Sequence, residues 1–514
     1  MKTIATLLFM CLNLSNMSFA QLPGLQWQKT LGGSLYDYGK EIEHTTDGGS
    51  IIVGYSESVD GDVSLNHGGG DCWIVKSDLS GIVQWKKTYG GTGLDYGYSI
   101  KQTADGYIVA GYSESIDGDV TGNHGGGDCW ILKLNNAGDI QWQKTVGGTS
   151  IDNAQSVKQT TDGGYIICGY TESSDGDVIG NHGGGDSWIL KLDGAGMLQW
   201  QTTLGGALYD FAQSVAQTSD GGYILTGGTY SADGNVAEQN GNGDCWLVKL
   251  DNSGTVVWEN SFGGTEYDFG QSVSQTIDGG YVVGGYSESN NGDVSGQHGA
   301  GDCWVIKCNN SGGIQWQTSL GSTGNDYAYC IQQITSGGYI LTGYSESNDG
   351  DVTGNHGAYD CWVTTLNPAG QVQLQRSFGG TGVDVGYSIC EVSTGNYILA
   401  GYTESNDGDI GGNHGNGDCW ILALNVSATG INESSTSTAI LVSSTITPGN
   451  FNFSNFNERS TLAVYDLSGK MIIQQEVTNS NYILDLNGQS NGVYLYSIIT
   501  ATGVNQSGKL FFIN

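Results

Sequence analysis

Short apolar runs recur along the whole chain, separated by clusters of Gly, Asn and Asp, and none is long enough or spaced for an amphipathic helix. Residues 156–206 show the pattern. "SVKQT" leads through the turn "TDGG" to "YIICGYTES", and a long polar loop follows; then come "SWILKL", the turn "DGAG" and "MLQWQTTLGG". Alternation and β-branched or aromatic content predict four strands, and the Asp-Gly and Asn-Gly clusters along the chain predict turns.

The same unit occurs seven times. Asp37, Asp95, Asp152, Asp210, Asp268, Asp326 and Asp384 recur every 58 residues, or 57 where one Gly is missing from "TADGY". The thirteen tryptophans keep step with it. Seven (such as Trp130 and Trp188) stand in "DCW" or "DSW", and the other six (such as Trp142 and Trp200) stand in "QW" or "VW". Tryptophans tied to a repeat are expected to pack, not to form a sugar-stacking platform. Four strands in a unit of this length predict a propeller blade. The chain opens with a lone fourth strand, "LQWQKTLGG", and the last repeat stops after a third strand, "CWILALN", so the first can complete the last. The expected fold is all-β: a seven-bladed β-propeller over 21–425, a polar linker at 426–438 and a small C-terminal β-sandwich at 439–514.

Composition narrows the class. Gly numbers 86 and Pro only 3, as tight turns between short strands require. Asp and Glu total 52 against 17 Lys and Arg, for a formal net charge of −35, which disfavours nucleic acid and anionic lipid as partners. Met1–Ala20 has one Lys, an apolar centre and Ser18 and Ala20 around Phe19, the pattern of a cleaved secretory signal. No later apolar run is long enough for a transmembrane segment. Ten cysteines follow this segment. Six hold one repeat position (Cys72, Cys129, Cys245, Cys303, Cys361 and Cys419), point in the same rotational sense and cannot face one another. They are expected to be buried small hydrophobes, with no disulfide framework.

The repeat resembles glycine-rich propeller repeats of bacterial secreted proteins. Beyond the linker, "VYDLSGKMI" (Val464–Ile472), "NGVYLYSI" (Asn491–Ile498) and the ending "SGKLFFIN" resemble the C-terminal sorting domain of the type IX secretion system. That resemblance implies export across the outer membrane, recognition of residues 439–514 by the secretion machinery, and an extracellular or surface-attached product.

Candidate chemistry gathers on one face. In a propeller the loop entering each blade and the loop between its second and third strands lie at the same end, and here these carry "GGTxxD" and "DGDVTGNHGGGD". The second loop offers oxygens at the spacing of a calcium loop: Asp117, Asp119, Thr121, Asn123 and Asp128 in blade two, and Asp349, Asp351, Thr353, Asn355 and Asp360 in blade six. The twelfth position is Asp rather than a bidentate Glu and no helices flank the loop, so Ca²⁺ and plain turn chemistry both stand. The loop histidine and the recurrent Asp before each innermost strand read as structural. Catalysis needs asymmetry. The innermost strands supply it where the recurrent Gln102, Gln159, Gln217, Gln275 and Gln333 become His44 in blade one and Glu391 in blade seven, neighbours across the seam. The sequence supports a non-catalytic binding or adhesion module for a polysaccharide or a surface or matrix ligand. A propeller hydrolase or lyase, and a structural surface component, are the alternatives.

Overall fold

The computed structural model describes residues 24–425 and, toward the C-terminus, 441–444, 450–454, 460–465, 470–478, 481–486, 492–500 and 503–512. The Met1–Ala20 segment and the 426–438 linker lie outside the described residues. The chain separates into two compact units, Gln21–Ser427 and one containing Ala428–Asn514.

The first unit is a propeller of seven four-stranded antiparallel sheets. Blade three is representative, with strands Asp152–Gln159, Tyr165–Thr171, Asp186–Leu192 and Leu198–Leu204 in order from the centre outward. The middle two strands are almost wholly buried on both faces, which is why they read as continuous apolar runs. Their side chains pack between adjacent blades. Ile108, Cys129 and Ile131 of blade two share a cluster with Val157, Ile167 and Trp188 of blade three.

The ring closes as the sequence predicts. Gly24–Leu31 forms the outermost strand of blade seven, antiparallel to Asp418–Asn425, with Leu31 opposite Cys419. Leu31, Ile421 and Cys419 then pack on Ile42, Ile52 and Trp73 of blade one. All ten described cysteines are free, and the six repeat-equivalent ones are buried. A side chain on Gly39 would lie 2.7 Å from the Sγ of Cys419, so a small residue there lets the next blade close over the thiol.

In the C-terminal unit, strands Leu441–Ser444, Asn450–Ser454 and Asn481–Asp485 form one sheet. Ser460–Tyr465, Met471–Val477, Gly492–Thr500 and Gly503–Phe512 form the other. Phe453 and Leu484 of the first meet Leu462, Val464 and Ile498 of the second in one core, as a β-sandwich requires.

Candidate functional site

The long-loop face is organised by hydrogen bonds between loops. Asp117 accepts from the N–H of Thr92 at 2.7 Å and from its hydroxyl at 3.1 Å, tying the loop inside blade two to the loop that enters it. Asp349 takes Thr323 in the same way in blade six. Asp119 and Asp351 face the N–H groups of Gly90 and Gly321 at 3.3 and 3.4 Å. Thr121 and Thr353 accept from the amides of Gln143 and Gln375. Asn123 and Asn355 donate to the carbonyls of Ser113 and Ser345. Asp128 and Asp360 each accept from a loop histidine, His124 at 2.6 Å and His356 at 2.8 Å. The oxygens expected to share a cation thus serve different partners. Among the described residues no group of three or more His, Cys, Asp or Glu is arranged to hold a metal ion. Substitutions elsewhere follow the same logic. Asn291 in blade five accepts from Thr265 N–H at 2.9 Å, because an amide oxygen serves as well as a carboxylate.

The recurrent Asp fixes each crossover. Asp152 accepts from Gly148 N–H at 2.7 Å, from Ser173 at 2.8 Å and from the hydroxyl of Thr171. Its own N–H donates to Gly127 of blade two at 2.9 Å. Beside it stands Asp128, whose second oxygen is buried without a hydrogen-bond partner. Burial pushes the carboxyls of Asp128 and Asp152 up. In blade four Asn240 replaces the histidine, and burial raises Asp244 to about 6.

His44 and Glu391 are not brought together. Glu391 accepts from the N–H of Thr335 in blade six at 2.8 Å, the contact that Gln102, Gln217, Gln275 and Gln333 make with the blades preceding theirs. His44 donates through Nδ1 to Gly49 of its own turn at 2.9 Å. Among the described residues no ion pair joins the two, so Glu391 does the work of a glutamine.

The asymmetry lies deeper, in the central channel. Every innermost strand carries a β-bulge after its small third residue, as between Gly39 and Glu41 or Ala154 and Ser156. The bulge leaves one residue unpaired and turns two successive side chains toward the axis. The bulge residues are Lys40, Tyr98, Gln155, Gln213, Gln271, Tyr329 and Tyr387, and all seven line a cavity of about 380 Å³. The next position adds Glu41 opposite five serines and Cys330, and a third layer adds Glu43, Lys101 and Lys158. Lys101 lies 2.5 Å from Glu41 and 3.4 Å from Glu43, and Lys158 lies 3.8 Å from Glu41. Lys40 sits over the ring of Tyr387 at 3.7 Å. Burial lowers both Lys40 and Lys158 to about 8.

Aromatic rings continue from this cavity onto the long-loop face. Tyr329 lies 4.9 Å from Tyr387 and 4.7 Å from Tyr327, which stacks on Tyr286 at 5.0 Å. On the other side Tyr38 stacks on Tyr402 at 4.3 Å and Tyr96 on Tyr55 at 4.2 Å. Sequence reasoning singles out the tryptophans by their count and passes over these tyrosines. The seven "DCW/DSW" tryptophans do pack, with Trp130 buried and its indole N–H on Gln143 at 3.0 Å. The available signal was variation at the fourth position of the innermost strand, where Lys, Tyr and Gln alternate.

These features define a seven-bladed propeller with an asymmetric polar and aromatic cavity on its axis. Residues 447–513 match the secretion system C-terminal sorting domain family. The chain therefore carries a type IX sorting tail, which directs export across the outer membrane to a surface or extracellular location. No curated protein sequence matches the chain. Among solved structures it is similar to PorZ, an essential bacterial surface component of the type IX secretion system of Porphyromonas gingivalis. Identity is 8%, coverage is 94% of this chain and 60% of that one, and the TM-score is 0.39. The chain thus spans less than two thirds of that protein's length. YCF48 bound to D1 peptide is similar at 10% identity over 80% of this chain and all of that one, with a TM-score of 0.41. Puromycin hydrolase is similar at 9% identity over 85% and 59% of the two chains, also with a TM-score of 0.41. Among the described residues no helix is long and apolar enough to cross a membrane.

Proposed function

We propose that this exported propeller is a binding module that takes a carbohydrate chain at the long-loop mouth of its central channel. The observation that carries the reading is the departure from sevenfold repetition. Loops and blade cores recur almost unchanged, whereas the bulge positions present Lys40, tyrosine rings at Tyr98, Tyr329 and Tyr387, and amides at Gln155 and Gln213. Ring faces beside amides and hydroxyls suit a polyhydroxylated ligand, whose C–H faces stack while its hydroxyls exchange hydrogen bonds. The cavity is of ordinary ligand-site size. A rigid scaffold with convergent polar groups around a preformed cavity favours binding.

Retention of the full-length chain on insoluble or immobilised polysaccharides (xylan, laminarin, polygalacturonate) tests this. At least one is expected to retain the wild type, and the double variant Tyr329→Ala, Tyr387→Ala is expected to lose that retention with its melting temperature kept. Equal retention of both proteins, or retention on none of the three, overturns the reading.

A further inference from the structure

We infer that the channel mouth selects an acidic sugar, with the Lys40 ammonium receiving the carboxylate of a uronic acid unit. The inference rests on the carbohydrate reading above and adds the ligand's charge. The repeat supplies its own control. The six positions equivalent to Lys40 are Tyr98, Gln155, Gln213, Gln271, Tyr329 and Tyr387, all neutral, so the fold has no need of a cation at the bulge.

The other two channel lysines are already committed. Lys101 is clasped by Glu41 and Glu43, and Lys158 shares Glu41 at 3.8 Å. Lys40 has only ring faces, Tyr387 at 3.7 Å and Tyr38 at 5.5 Å, and among the described residues no carboxylate pairs with it. Ring faces leave an ammonium's capacity for charged hydrogen bonds unused, since they offer no anionic oxygen. The cavity's lining holds three lysines against two glutamates, one positive charge in excess, whereas Glu57 and Glu404, held by Tyr55 and Tyr402, stand at the mouth above it, so the cation acts within the cavity and not through the field of the long-loop face. An isolated buried cation is costly to desolvate, and the depressed Lys40 ammonium, at about 8, reports that cost. A ligand carboxylate would bring the missing counter-charge without displacing any internal partner. Gln213 and Gln155 also line the cavity, and although the Gln155 amide donates to Asn153 at 3.0 Å, both amides keep hydrogen-bonding capacity for sugar hydroxyls. A neutral sugar would meet the same rings and amides but leave Lys40 as it is.

Calorimetric titration of the full-length chain with trigalacturonate, its methyl ester, neutral galactotriose and free acetate tests this. Trigalacturonate is expected to bind about tenfold more tightly than either neutral trisaccharide, the gain of one charge-assisted hydrogen bond. Acetate alone is expected to bind far more weakly. Lys40→Met, which keeps the chain's bulk and drops its charge, is expected to bind all three trisaccharides alike at an equal or higher melting temperature, and Lys40→Arg to restore the preference. If the wild type binds acid and ester equally, or Lys40→Met keeps the preference, the assignment of Lys40 fails while the carbohydrate reading stands. Acetate binding as tightly as trigalacturonate would make this a simple carboxylate site and would also overturn it. If no trisaccharide binds the wild type, the Lys40 assignment fails, and retention on the polysaccharides named above decides the carbohydrate reading separately.

Discussion

Gly147 lies where blades two and three meet, and its environment explains why it is glycine. A Cβ there would come within 2.6 Å of Asp152 Oδ2 and 2.7 Å of Asp128 Oδ1. The same arrangement surrounds Gly32, Gly90, Gly205, Gly263 and Gly379. With hydrogen alone on the α-carbon, the backbone can lie against both carboxylates, and the otherwise unpartnered Asp128 oxygen faces C–H instead of methyl. No left-handed torsion is needed, so the requirement is one of space and charge. Gly147→Ala is therefore expected to destabilise the full chain by about 1–3 kcal/mol, the usual range for forcing extra volume into a packed site. An unchanged thermal melt would mean that the two aspartates can move apart freely.

Blades are joined by these aspartate pairs, and their titration sets how stability depends on pH. Burial raises Asp128, Asp152, Asp186, Asp302, Asp360 and Asp418, and Asp244 to about 6. A carboxyl whose folded pKa lies above its unfolded value binds protons better when folded, so its contribution is present at low pH and lost as pH rises through the folded pKa. His124, raised mainly by its hydrogen bond to Asp128, acts in the same direction at higher pH. The hairpin turns oppose this. The hydroxyls of Thr218 and Thr276, with Lys249 and Lys307, hold Asp220 and Asp278 down to about 2, and their contribution fades as pH falls below the ordinary carboxylate range. The melting temperature is expected to peak near the ordinary aspartate value of 3.8, to fall as pH rises to about 6 while Asp244 ionises, and to fall further above the ordinary histidine value of 6.5 as His124 loses its proton. Asp244→Asn, which keeps an acceptor but cannot ionise, is expected to flatten the decline. A melting temperature that climbs steadily from pH 5 to 8 would show that the junction carboxyls ionise without cost. These pairings are invisible in sequence, because Asp128 and Asp152 come together only when separate blades pack. The "DGDVTGNHGGGD" spacing is legible but ambiguous, since oxygens aimed at neighbouring N–H groups and oxygens aimed at a cation share one pattern.

At the scale of the whole molecule the sequence is most legible, since period, strand count and the split blade follow from repetition itself. The channel site is least legible. A bulge changes which residues face the axis, so the alternation rule places Lys40 and Glu41 on opposite sides of a strand when both line the cavity. The split blade has a mechanical consequence. In blade three the fourth strand, Leu198–Leu204, is tied by a short turn to the third strand of its own blade, whereas Gly24–Leu31 has no turn to Asp418–Asn425 and is held to blade seven by its ladder, its packing and hydrogen bonds such as Trp420 to Gln28 and Thr30 to Gly412. Leu31 and Leu204 hold equivalent buried positions, at 1% and 3% exposure. Truncating either to Ala is expected to cost about 2–5 kcal/mol. The routes to opening differ, because the only short connection of Gly24–Leu31 among the described residues runs to Asp37–His44 of blade one, so its separation from blade seven pulls on no strand of that blade and would bare the edge of Asp418–Asn425. Leu31→Ala is therefore expected to speed amide hydrogen exchange selectively along Asp418–Asn425, while Leu204→Ala speeds exchange only through unfolding of the whole propeller. Matching exchange profiles for the two variants would mean that the seam is no weaker than any other blade. Faster exchange confined to blade seven under Leu31→Ala would make the terminal strand the latch of the ring.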